Sequence, residues 1–182
     1  MREDAARALL AEAELIHSES VVQQALVRLA GEIGERLADK RPLALCVMNG
    51  GLVFCGQLLP KLVFPLDLDY LHASRYGAET SGGELAWRAT PKTPVQGRTV
   101  LVLDDILDEG VTLAAVKDSL IRLGAAEVLL AVFADKLNGK QKPIHADFIG
   151  LTVPDRFVFG YGMDVDNAWR NLPAIYAMKD DA

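Results

Sequence analysis

The chain has 182 residues, 51% of them hydrophobic and 24% charged, with a formal net charge of −6. That length suits one domain with a proper core, and the acidic balance argues against nucleic acid, whose binding surfaces are basic. No apolar run approaches membrane-spanning length and the first residues, Met1-Arg-Glu-Asp, lead into no signal core, so a soluble cytoplasmic protein with no membrane partner is expected.

Residues 3 to 15, rich in alanine, leucine and glutamate, read as a helix. Ser18 or Ser20 can cap a second one running to about Asp39. Its Val22, Leu26, Leu29, Ile33 and Leu37 keep the three-to-four spacing of a core-facing stripe. Arg41-Pro42 ends it. Leu43 to Met48 is a continuous apolar run, the pattern of a strand buried on both faces in a parallel sheet. Asn49-Gly50-Gly51 then leads into a helix over Leu52 to Leu62. Such a glycine pair lets backbone approach a phosphate, and serves equally as a plain tight turn. It is not a Walker A loop, because no Gly-Lys-Ser/Thr follows. Cys46 and Cys55 lack CxxC spacing and are expected to be free thiols. Pro65 to Ala73 alternates as a strand, with Leu66, Leu68 and Tyr70 or their neighbours facing inward. Ser74 to Gly83 carries three glycines and reads as a mobile loop or hairpin tip. Glu84 to Arg88 is a short strand, and Thr90 to Gly97, with two prolines, is a surface linker.

Val100 to Leu103 is a second fully apolar strand, and Asp104 and Asp105 stand side by side where it should surface. Asp108, Gly110 and Thr112 follow in a tight turn, and Leu113 to Leu123 continues as an amphipathic helix. Backbone N–H groups at that helix start can hold a phosphate, and the carboxylates can accept from hydroxyls or hold a hydrated cation. Glu127 to Phe133 is another buried strand with Lys136 at its carboxyl end, and Lys140 to Pro143 is loop. Asp147 to Val153 is a further strand. An irregular aromatic segment over 154–164 and a polar tail over 166–176 complete the chain. His17, His72 and His145 show no metal-ligand spacing. Alternation of strands and helices between 43 and 133 predicts an α/β fold with a mostly parallel sheet flanked by helices. Ligands of such sheets sit beyond the carboxyl ends of the strands, so the Asn49 loop, the 104–112 loop and Lys136 should converge.

Leu101-Val-Leu-Asp-Asp-Ile-Leu-Asp-Glu-Gly-Val-Thr-Leu113 resembles the 5-phosphoribosyl-1-diphosphate (PRPP) motif of the type I phosphoribosyltransferases. Met48-Asn-Gly-Gly51, Ser74-Arg-Tyr-Gly77, Ala134-Asp-Lys136, Val153-Pro-Asp-Arg-Phe-Val-Phe-Gly-Tyr-Gly162, Asp164 and Arg170 are similar to the hypoxanthine–guanine branch, in its order. The resemblance implies one domain over 1–182, with a core at about 40–150 and a small hood from about 1–20 and 151–182. It implies transfer of a phosphoribosyl group from PRPP to a 6-oxopurine base, with Mg2+, in a homodimer or homotetramer.

Residue by residue, it implies that Asp108 is the acid/base at purine N7. Asp104 and Asp105 hold the ribose hydroxyls, directly or through metal. Glu109, Gly110, Val111 and Thr112 cradle the 5′-phosphate, while the Asn49-Gly50 backbone and Arg170 face the pyrophosphate. Lys136 donates to the exocyclic O6, Phe157 stacks on the base, and Val158 meets its edge through the backbone. Asp164 helps hold a second metal beside the base. Ser74 and Tyr76 belong to a closing loop, and the Met48–Asn49 peptide is cis. Three positions depart from the pattern. Glu109 replaces a small hydroxyl residue, so its side chain is expected to point outward; Asp104 replaces the common glutamate; and Asn49 replaces a basic residue. The competing readings are a xanthine–guanine enzyme, a regulator of the same fold that binds RNA, and a phosphorelay receiver. The receiver carries its acid pair on the first strand, with most of the domain after it.

Overall fold

The computed structural model describes residues 1–75 and 85–179. Its elements run in chain order as α1 (Glu3–Glu12), β1 (Glu14–His17), α2 (Glu19–Leu37), β2 (Leu43–Val47), α3 (Gly51–Leu58), β3 (Asp67–Arg75), β4 (Leu85–Ala89), β5 (Thr99–Leu107), α4 (Val111–Arg122), β6 (Glu127–Leu137), β7 (Phe148–Pro154), β8 (Val158–Phe159) and β9 (Ile175–Ala177). A single 3-10 turn, Leu59–Lys61, follows α3. Six strands form one sheet in the order β4-β3-β2-β5-β6-β7. All neighbours in it are parallel except the β3–β4 hairpin arms.

The apolar runs of the central strands divide by alternation between the two faces, as the pleat requires. Leu101, Leu103 and Phe133 pack with Leu26, Leu29 and Ile33 of α2 and with Phe54 and Leu58 of α3. Val100, Val102, Leu130 and Val132 face the other way, onto Leu113, Val116 and Leu120 of α4. Two helices thus cover one face and a third covers part of the other, which is why β2, and β5 between Thr99 and Asp104, carry only apolar residues. A separate small antiparallel sheet, β1-β9-β8, joins both ends of the chain.

Two local readings differ from the structure, and one left open, the inward face of β3, is decided by it. The first helix stops at Glu12, and Glu14–His17 is a strand paired with β9, which lies in the tail read as merely polar. On β3 the inward residue is Leu71, fully buried, while Leu68 and Tyr70 are exposed. The parity follows from Asp69, whose carboxylate accepts hydrogen bonds from the backbone N–H of Lys92 and Thr93, each at 2.7 Å, and so ties the 90–97 linker to the strand. Strand β5 does not stop at Leu103 but continues through both aspartates to Leu107, because β6 pairs with it as far as Leu107↔Asp135.

Phe133 of β6 lies at the hub of the first core. Its ring centroid is 5.4 Å from that of Phe54 on α3 and 4.1 Å from that of Tyr161. The Tyr161 hydroxyl reaches Gln57 at 3.3 Å. This trio docks the 154–164 segment onto the sheet. Phe133→Ala should therefore cost about 3–5 kcal/mol of stability, measured by urea or thermal denaturation. A loss below about 1 kcal/mol would show that the trio is not what fastens the segment.

Candidate active site

The site exists because β5 has unequal neighbours. Toward β6 its ladder runs to Leu107, but toward β2 it ends at Leu103↔Cys46. There β2 stops, and the chain turns through the cis Met48–Asn49 peptide into α3. Asp104 to Leu107 are left with an open edge, and the Asn49–Gly51 loop fills it closely. A Cβ on Gly50 would lie 2.1 Å from the Asp105 carboxylate, and one on Gly162 would lie 2.2 Å from the Gly50 carbonyl. Gly162 also has φ +104°, open only to glycine. A carboxylate and two stretches of backbone are thus stacked at distances that no side chain permits.

Asp105 is 9% exposed, and Asp104 beside it is half-buried. Asp104 Oδ1 accepts from the Asp105 N–H at 3.0 Å, and Asp105 Oδ1 from the Ile106 N–H at 2.9 Å. Burial raises the Asp104 carboxyl well above the usual carboxylate range, and the charge of Asp105 adds to the shift. Burial raises Asp105 too, partly offset by Asp104 and by the Arg170 guanidinium.

Beyond β5 the chain turns at Gly110, φ +79°, which starts α4. The first-turn N–H groups of this 12-residue helix open toward the same cleft as the two aspartates. Glu109 is well exposed and lies 3.7 Å from Lys140, its carboxylate met by an outer cation. Asp108 Oδ2 accepts a 2.6 Å hydrogen bond from Lys136 Nζ, and Asn138 Nδ2 donates to both its carbonyl and Oδ1 at 3.3 Å.

Two spaces share this wall. A cleft of about 630 Å³ is lined by Asn49, Gly50, Asp104, Asp105, Asp108 to Thr112 and Arg170. A smaller recess of about 180 Å³ adjoins it, lined by Asp105, Asp108, Lys136, Phe157, Val158 and Asp164. Phe157 is 54% exposed at the recess, whereas Phe159 and Tyr161 are core residues. Asp164 receives Arg170 at 2.5 Å and the Asn167 N–H at 2.7 Å, and Arg170 also donates to the Gly162 carbonyl.

The structure therefore gathers every residue expected at the site except two in the loop. Ser74 belongs to β3 by its backbone, paired with Ala86, and Tyr76 lies outside the described residues. The sequence reading missed His72 and Arg88, which line the large cleft, and Asn138. A signal for His72 and Arg88 was their place near the ends of two strands beside the Asn49 loop. Asn138 carried none. Among the described residues no three His, Cys, Asp or Glu side chains are placed to hold a metal ion together, and no helix is long and apolar enough to cross a membrane.

The Phosphoribosyl transferase domain model matches residues 13–166. A hypoxanthine-guanine phosphoribosyltransferase of Bacillus subtilis is 35% identical over 167 residues, covering 91% of this chain and 93% of its own length. A hypoxanthine-guanine-xanthine phosphoribosyltransferase of Tritrichomonas foetus is 34% identical, with 91% of each chain covered. A solved hypoxanthine phosphoribosyltransferase from Staphylococcus aureus superposes with a TM-score of 0.88 at 26% identity, over 94% of this chain and 95% of its own.

The aspartate pair sets a trade between stability and function. A carboxyl raised by burial costs nothing while protonated; stability falls as pH rises from the ordinary carboxylate pKa up through the raised folded value, and is flat above it. Asp104→Asn keeps the acceptor for the Asp105 N–H and removes the charge. It should raise the melting temperature of the ligand-free protein at pH 8 by roughly 2–4 °C, as about 1 kcal/mol would in a chain of this size. The gain should vanish toward pH 4, and an unchanged or lower melting temperature at pH 8 would refute the cost of holding a buried charge there.

Proposed function

The chain belongs to the phosphoribosyltransferase family, and from that premise we propose that it transfers the 5-phosphoribosyl group of PRPP to hypoxanthine or guanine. The products are pyrophosphate and IMP or GMP, and the process is purine salvage. The observation that carries this reading is the shared wall, where a cleft suited to phosphates meets a recess suited to a flat base at Asp105 and Asp108.

Each part has a physical role. The 5′-phosphate lies on the backbone of 108 to 112, where the helix start offers N–H donors, with the Thr112 hydroxyl beside them. Asp104 and Asp105 accept from the ribose 2′- and 3′-hydroxyls. The pyrophosphate lies against the Asn49-Gly50 backbone and Arg170, so that its growing negative charge meets donors as the bond to the anomeric carbon breaks. Phe157 stacks on the purine and the Val158 backbone meets its edge. Lys136 donates to O6, and Asp108 takes the proton that leaves N7.

Magnesium fits this site. Two adjacent buried carboxylates carry repelling charge that a divalent ion would neutralise, and Mg2+ is commonly held by one or two carboxylates with substrate phosphates and water, not by an all-protein cage. Asp104 and Asp105 would hold one ion and Asp164 would help hold a second; when bound, the metal supplies charge neutralisation to the leaving pyrophosphate. We place the enzyme in the cytosol, where its two free thiols stay reduced, and expect a homodimer or homotetramer. The RNA-binding reading is not favoured, since the chain is acidic and the relatives named here are enzymes.

The direct test is pyrophosphate release from PRPP and magnesium with adenine, hypoxanthine, guanine, xanthine or uracil, on protein whose mass by light scattering should be two or four chains. Hypoxanthine and guanine should turn over; activity confined to adenine or uracil, or none at all, would overturn the proposal. Asp108→Asn should lower turnover by about 10²–10⁴-fold with little change in the KM for PRPP. Lys136→Met should narrow the preference for hypoxanthine over adenine, and unchanged selectivity would remove it from the O6 contact.

A further inference from the structure

Lys142 lies in the loop between β6 and β7 and turns back beneath the site. Its side chain is 10% exposed. The ammonium meets three acceptors: the Leu107 carbonyl at 2.7 Å, the Lys136 carbonyl at 2.7 Å and the Asp135 carboxylate at 2.6 Å. A lysine has three N–H donors, so all are spent inside the protein and none remains for a substrate.

The identity of the acceptors gives these bonds their meaning. Leu107 is the last residue of β5 and immediately precedes Asp108, while Lys136 is the partner of Asp108 at 2.6 Å. The β5–β6 ladder ends at Leu107↔Asp135, so past that point the sheet itself no longer fixes Asp108 against Lys136. Lys142 bonds both strands at that place. Its stem also backs the phosphate turn: a Cβ on Gly110 would meet Lys142 Cβ at 3.6 Å and Ile144 at 3.1 Å. A lysine merely seeking a counter-ion would need only Asp135. Two carbonyls from two strands add nothing to charge balance, but they do fix a distance. Burying an ammonium also costs desolvation that an apolar residue would avoid, so its use here is for geometry more than for stability.

We infer that Lys142 is a positioning residue of the reaction, holding the Asp108–Lys136 pair in register for the purine by tying the Leu107 and Lys136 carbonyls to one buried cation. The inference rests on the function proposed above, and it makes Lys142 act only through that pair.

The test is a double-mutant cycle. Lys142→Met, close in length and without donors, should lower kcat for hypoxanthine by about ten- to a hundredfold, the scale of a small misplacement of reacting groups, with the KM for PRPP little changed. In a Lys136→Met background the same substitution should cost no more than about threefold, because the pair it positions is already gone. Equal losses in the two backgrounds, the result of a general structural role, or no loss in either, would overturn the inference. If Lys142→Met does not fold, it is combined with Asp135→Asn, which removes the carboxylate left without its cation, and the combination is carried through the same cycle and judged by the same comparison. If the wild-type protein transfers no phosphoribosyl group, the functional reading fails and the clamp is decided by a crystal structure of Lys142→Met. A lengthened Asp108–Lys136 contact supports it and an unchanged one overturns it.

Discussion

The early end of β2 against β5 is the constraint on which the site depends. Had the two strands paired to equal length, Asp104 to Leu107 would be ordinary ladder with a neighbour on each side. Because β2 stops at Val47, the loop after it can fold over the exposed edge, and Gly50 and Gly162 let it do so at a distance no other residue allows. The carboxylate of Asp105 is then pressed between backbone segments and shielded from water, with Asp104 beside it. The close packing that forms the cleft is thus the same packing that makes its two acids costly to ionise.

The charges around that cleft are arranged unevenly. Asp108 is paired with Lys136, Asp164 with Arg170, Asp135 with Lys142, and Glu109 faces Lys140. Asp104 and Asp105 have backbone N–H donors and each other's carboxyl, with the Arg170 guanidinium pulling on Asp105. The acids without a cation partner are therefore concentrated at the cleft proposed for the phosphates. Two negative partners do not attract, so on the proposed function binding would need either a cation carried in with the phosphates or hydroxyl donors on the sugar, and PRPP with magnesium would supply both.

What could be read from the chain alone was whatever local pattern encodes. The buried central strands announced themselves by apolar runs, α2 by its stripe, and the 104–112 turn by acids and glycine between a strand and a helix. Their convergence followed from the geometry of parallel sheets. What could not be read depends on partners distant in sequence. The apolar signal of β5 ends at Leu103, yet the strand continues because β6 is there to pair with it. The alternation left the inward face of β3 open, and the structure selects the one on which Asp69, a polar residue, serves the N–H groups of residues 23 and 24 positions later. β9 is three residues long and forms between β8 and β1, the latter some 160 positions earlier. Lys142 falls in a segment that reads only as loop, and only the fold brings it to carbonyls of two different strands.

The Asp108–Lys136 contact raises a question of competition, since each member is also assigned to the purine. The donor count resolves it. A lysine ammonium has three N–H groups and a carboxylate has two oxygens, so one hydrogen bond between them leaves two donors and one oxygen, the latter held only by a long contact from Asn138. On a 6-oxopurine, O6 and N7 lie side by side on one edge. O6 accepts, and N7 releases its proton as the glycosidic bond forms. The pair presents a donor beside an acceptor, the complement of that edge, and need not break to do so. An adenine offers an amino donor where Lys136 also offers a donor, so two groups would be buried facing each other without a bond. A site built to hydrogen-bond one group rejects the analogue lacking it far more strongly than a merely apolar pocket would. Selection of the base and removal of its proton are on this reading the work of one ion pair, and the spacing within that pair is a property the surrounding strands must hold.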